Sequence, residues 1–103
     1  MELKELREKI DEVDEKIIAL YVERMELASK IALYKTENGL EIFDAKREAQ
    51  KLESVMSKVQ NEKDREGIGE LFEHLMALSK KRQYEVVDGS GYDPDVKGKA
   101  DGM

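Results

Sequence analysis

The 103-residue chain has no cysteine, no tryptophan, one proline and one histidine. Without cysteine there is no disulfide framework, no thiolate nucleophile and no zinc finger. Aromatic residues make up only 6% of the chain, too few to suggest a stacking platform for nucleic-acid bases. No stretch is apolar enough to span a bilayer, and the N-terminal MELKELREKIDE is amphipathic and mixed in charge, unlike the apolar core of a signal peptide. A cytoplasmic protein with no membrane partner is expected. An excess of positive charge is also missing. Acidic side chains number 24 against 18 basic ones, a formal net charge of -6, which argues against nucleic acid or an anionic membrane as the main partner. A local basic pocket for a small dianion remains compatible with that balance.

Charged residues are abundant, at 41%, and the apolar residues among them are periodic. Leu3, Leu6, Ile10, Val13, Ile17, Leu20, Leu27, Ile31 and Tyr34 recur at three- and four-residue steps, the mark of one stripe down a helix. The spacing predicts a helix from Leu3 to Thr36, roughly 50 Å long, closed by Asn38-Gly39. A helix of that length has little to pack against within so short a chain, so an intertwined dimer is expected. A second helix is predicted to begin near Asp44, a good N-cap, and to carry Leu52, Val55, Met56 and Val59. Asn61 to Gly67 reads as a polar break. A third helix then presents Ile68, Leu71, Phe72, Leu75, Met76, Leu78 and Ser79 as a packing face and continues to about Val87. The segment from Asp88 onward is glycine-rich and without periodicity, which predicts a disordered tail over 88–103 after one folded domain at 1–87.

Several polar residues lie in phase with apolar faces. Arg24 sits on the first stripe, where a guanidinium needs an anion, either a carboxylate of the protein or one of a ligand. Lys35 follows three turns later on nearly the same face, about 16 Å away. Arg7 is rotated from Arg24 by roughly 100°, so it is either a solvated flank residue or reaches a site on a partner chain. Asp44, Arg47 and Glu48 cluster on the first turns of the second helix, which a cap and an ion pair alone could explain. Ser79 and Gln83 are neutral hydrogen-bonding groups in an apolar phase, either an internal network or the walls of a ligand site. His74 stands without acids at a ligand spacing, so no metal is expected. Such a set holds carboxylates well but contains no activated nucleophile, acid–base pair with histidine, phosphate loop or redox group. An enzyme built from it would work by shape and fixed charge.

The segments LREKIDEVDEKIIALYVERMELASKIALYK at 6–35, IFDAKREAQKLE at 42–53 and LFEHLMALSKKRQ at 71–83 together closely resemble the all-helical, AroQ-type chorismate mutases. The resemblance covers about residues 3–87. It implies an all-α fold in which three-helix chains form an intertwined homodimer, and conversion of chorismate to prephenate in aromatic amino acid biosynthesis without metal or cofactor. Position by position, it implies that Arg7 enters from the partner subunit to bind the side-chain carboxylate. Arg24 would hold the ring carboxylate with help from Ser79. Lys35 would bridge the side-chain carboxylate and the ether oxygen, with Gln83 as second donor to that oxygen. Asp44 and Glu48 would surround the ring hydroxyl, and Arg47 would line the ring-carboxylate end. Lys80 departs from the apolar residue that some relatives carry near the ring. Isochorismate–pyruvate lyases share the fold and are the alternative; Glu48 and Gln83 favour the mutase. No second catalytic domain is recognisable, so a monofunctional enzyme is expected, with association to another pathway enzyme left open.

Overall fold

The computed structural model describes residues 1–88; the expected tail over 88–103 lies, apart from Asp88, outside the described residues. Three helices account for the fold among those residues: α1 (Leu3–Glu37), α2 (Ala45–Ser57) and α3 (Glu62–Asp88). The fold is all-α, as expected. Among the described residues no helix is long and apolar enough to cross a membrane.

Helix α1 has 35 residues, and at about 1.5 Å per residue it spans nearly the whole 54 Å length of the molecule. It ends as the Asn38-Gly39 pair requires. Gly39 takes φ 65°, a left-handed value that costs glycine nothing. The freed carbonyls are taken up by Asn38 N–H donating to Tyr34 O at 3.0 Å and Leu40 N–H donating to Lys35 O at 2.8 Å. Asp44 caps α2, its carboxylate accepting from Arg47 N–H at 3.0 Å.

The third helix begins earlier than the spacing predicts. Asn61 to Gly67 is not a break: α3 starts at Glu62 and runs through Gly67 and Gly69. Asn61 Oδ1 accepts from Asp64 N–H at 3.1 Å, which makes Asn61 the N-cap, and Glu62 and Asp64 favour the positive end of the helix dipole. Arg65 adds a second tie. Its Nε donates to Val59 O at 2.9 Å and its Nη2 to Gln60 O at 3.1 Å, clamping the carbonyls of the turn that leaves α2. These contacts outweigh the helix cost of two glycines. Val59, expected on α2, belongs to this turn and is half-buried there.

Helix α3 packs against both α1 and α2, which do not pack on each other. The buried positions of α1 are Met25, Ala28 and Ala32, the last fully covered. The apolar stripe lies outside that contact: every member from Leu3 to Tyr34 is 47–63% exposed within one chain. The stripe and the α3-facing side are neighbouring strips of the same helix. On α3, Leu71 and Leu78 likewise turn outward, while Gly69 and Gln83 are the buried residues and Phe72, Met76 and Ser79 are half-buried beside them. Gly69 lets α2 approach closely, since a Cβ there would meet Met56 Sδ at 3.0 Å and Cε at 3.2 Å, whereas one at Gly67 would meet nothing within 4 Å.

Gly67→Ala is therefore expected to stabilise the protein by about 1 kcal/mol, a rise in Tm of ~4–8 °C in thermal unfolding. Gly69→Ala is expected to fall short of that gain, because Met56 must move; equal gains at the two positions would contradict the close α2–α3 approach.

Candidate active site

A cleft of about 270 Å³ opens where the three helices converge. Arg24, Ile31 and Lys35 come from α1, Ile42 and Asp44 from the connection, Arg47, Glu48 and Lys51 from α2, and Met76, Ser79, Lys80 and Gln83 from α3. The lining holds five cations and two carboxylates, so the local balance is positive in a chain of net charge -6. A small dianion is the ligand such a lining favours.

The inner groups are held by few bonds within the chain. Arg24 is half-buried, and its Nη1 donates only to Leu75 O, at 3.4 Å. Among the described residues no carboxylate forms a salt bridge with it. The guanidinium thus has most of its donors unspent, the state expected of a group waiting for an external anion. Lys35 Nζ donates to Ile42 O at 2.8 Å, which ties α1 to the connection and leaves two ammonium protons for another acceptor. Gln83 is 7% exposed; its Nε2 donates to Ser79 Oγ at 3.3 Å, and its Oε1 is buried without a partner. A buried amide with half its capacity unused is costly unless a ligand completes it.

A type II chorismate mutase family model matches residues 6–84. The chain belongs to that family. It is 37% identical over 83 residues to a chorismate mutase of Methanocaldococcus jannaschii, the match covering 76% of this chain and 84% of the relative. It is also similar to two larger proteins. Identity is 42% over 55 residues to a bifunctional chorismate mutase/prephenate dehydratase of Aquifex aeolicus, a match covering 53% of this chain and 15% of the relative. Identity is 38% over 52 residues to a T-protein of Haemophilus influenzae, covering 50% of this chain and 14% of that protein. No solved structure matches the chain.

Seven of the eight residues singled out in the sequence line the one cleft: Arg24, Lys35, Asp44, Arg47, Glu48, Ser79 and Gln83. Arg7 does not. It lies on the exposed N-terminal half of α1, more than four turns before Arg24. Two charged lining residues were not singled out as site residues, Lys51 and Lys80. Both carried a signal. Lys51 continues the 44, 47, 48 spacing on α2, and Lys80 lies four residues after Met76 and three before Gln83, on the same face of α3. Lys80 Nζ is 3.3 Å from Glu48 Oε2 and 4.4 Å from the centroid of the Phe43 ring. His74 is exposed, and no set of side chains among the described residues is grouped to hold a metal ion.

Because Arg24 has no ion pair to lose, Arg24→Leu is expected to keep its helical circular dichroism and a Tm no lower than wild type. A marked fall in Tm would mean that the guanidinium serves an internal carboxylate instead.

Proposed function

We propose that the cleft binds chorismate and rearranges it to prephenate, and that the working unit is a cytoplasmic homodimer whose sites each borrow Arg7 from the second chain. The observation that carries this reading is the state of Arg24 and Gln83, an unpaired guanidinium and a half-satisfied buried amide facing the same cationic cleft. Family membership supports the choice of substrate.

Chorismate carries two carboxylates, an enol ether and a ring hydroxyl, and each has a complement here. Arg24, with Ser79 beside it and Arg47 at the same end, takes the ring carboxylate. Lys35 takes the side-chain carboxylate and the ether oxygen with its two remaining protons. Asp44 and Glu48 accept from the ring hydroxyl. The partner's arginine at position 7 completes the clamp on the side-chain carboxylate. The exposed stripe on α1 supports a second copy there, because nine large residues at 47–63% exposure leave an apolar surface that water does not tolerate well.

The reaction is intramolecular: the ether C–O bond breaks as a C–C bond forms between side chain and ring, with no atom gained or lost. Clamping both carboxylates folds the side chain over the ring, which supplies proximity. Negative charge grows on the ether oxygen as its bond stretches, and donors aimed there act more on the transition state than on the substrate. Lys35 is one such donor and Gln83 the other. For Gln83 to donate, its amide turns over: Oε1 then accepts from the Ser79 hydroxyl, and Nε2 faces the cleft. The turn satisfies the orphaned oxygen and frees the donor in a single motion.

The wild-type protein is expected to consume chorismate, followed by its absorbance, with the product converting to phenylpyruvate in acid. Lys35→Ala and Gln83→Ala are each expected to lower kcat by about 10²–10³-fold with the fold intact. Absence of wild-type turnover, or full activity in both variants, would overturn the reading.

A further inference from the structure

Lys80 is a cleft residue for which the clamp described above has no use. Both carboxylates of the substrate are already provided for, and the ether oxygen has its two donors. Yet Lys80 is engaged twice in the lining. Its ammonium is 3.3 Å from Glu48 Oε2, with the two side chains only 30% and 28% exposed, and it also sits 4.4 Å above the Phe43 ring. Three segments meet in that contact: α3 through Lys80, α2 through Glu48, and the α1–α2 connection through Phe43, the residue before the Asp44 cap. A charge held by a carboxylate and an aromatic face together has little freedom to leave either.

Glu48 has somewhere else to go. Lys51 is three residues further along α2 and also lines the cleft, a spacing at which opposite charges pair readily. Asp44, four residues before Glu48, is a like charge on the same face and repels it. Left to α2 alone, the Glu48 carboxylate is pushed from Asp44 and drawn toward Lys51. Lys80 approaches from the opposite wall and opposes that drift.

We propose that Lys80 is a positioning residue: it holds the Glu48 carboxylate at one place in the cleft and thereby sets how well the site grips the ring hydroxyl of its substrate. The proposal rests on the reading of the cleft as a chorismate site. The hydroxyl sits on the ring carbon next to the one whose C–O bond breaks. Neither of its own bonds is made or broken in the rearrangement, so its hydrogen bond contributes to substrate and transition state alike. Interactions of that kind change KM and leave kcat alone.

The test is steady-state kinetics on chorismate with Lys80→Met and Lys80→Arg, each in wild-type and Glu48→Gln backgrounds, with circular dichroism to confirm folding. Lys80→Met is expected to raise KM about tenfold with kcat within about twofold of wild type. Lys80→Arg, which keeps the charge and the aromatic contact, is expected to restore KM to within about threefold. In the Glu48→Gln background Lys80→Met is expected to change KM by less than about twofold, since nothing remains to be positioned. An unchanged KM in Lys80→Met would overturn the proposal while leaving the mutase reading intact. A loss of the same size in the Glu48→Gln background would also overturn it, because Lys80 would then act on the dianion directly. A fall in kcat alone would overturn it as well. If the wild-type protein does not turn over chorismate, the mutase reading fails and this proposal fails with it.

Discussion

Close approach of α1 and α3 over Ala28 and Ala32 is the contact on which the cleft depends. Both alanines are covered, at 2% and 0% exposure, and Met25 is the one larger buried side chain of α1. Small side chains bring the two helix axes near enough for the longer ones flanking them to converge. Arg24 lies one turn before Ala28, Lys35 lies three residues after Ala32, and opposite them α3 presents Ser79 and Gln83. Larger residues at 28 and 32 would push α3 away and open the cleft, however correct the polar groups on its walls.

The same arrangement leaves one chain with little core of its own. Its buried apolar residues are Met25, Ala28, Ala32 and Val55 among those described, a small core for a domain of this length. The surface that ought to stabilise the fold is on the outside, along an α1 that α3 covers only in its second half. A second copy laid on that stripe would bury the apolar surface and carry Arg7 toward a neighbouring cleft in one step. Stability and completion of the site would then have a common cause. The cationic lining fits this picture. Five positive side chains against two carboxylates leave the cleft positive, a balance that a dianion would offset.

Much of this was legible in the residues. The length of α1, its stop at Asn38-Gly39 and the Asp44 cap follow from local chemistry, and the structure differs by a residue at most. The start of α3 was not legible, because the polar stretch from Asn61 to Gly67 carries no apolar residue and reads as a break. The Asn61 cap and the Arg65 clamp on Val59 and Gln60, which reverse that reading, are contacts across a turn and have no period. The side of α1 that faces α3 was also hidden. In the proposed dimer the most apolar strip of α1 would be covered, whereas within one chain alanines hold the buried position. In the cleft, Arg24, Ser79 and Gln83 interrupt apolar phases and Lys35 borders one, so spacing marks them. Asp44, Arg47 and Glu48 stand out only as a cluster that a cap and an ion pair could explain. Lys80 and Lys51 share those spacings, but a lysine on a charged helix looks solvated until the opposite wall is known.

The central claim is that each cleft is completed by the arginine at position 7 of a second chain. Mixing Arg7→Ala with Arg24→Ala protein, each inactive alone, under conditions that allow subunits to exchange tests it most directly. In a heterodimer one site inherits both defects and the other neither. Random pairing at equal amounts should return activity to about a quarter of wild type, half of the dimers being mixed and each holding one intact site. No recovery from two folded, exchanging proteins would contradict the shared site and leave Arg7 as a surface residue.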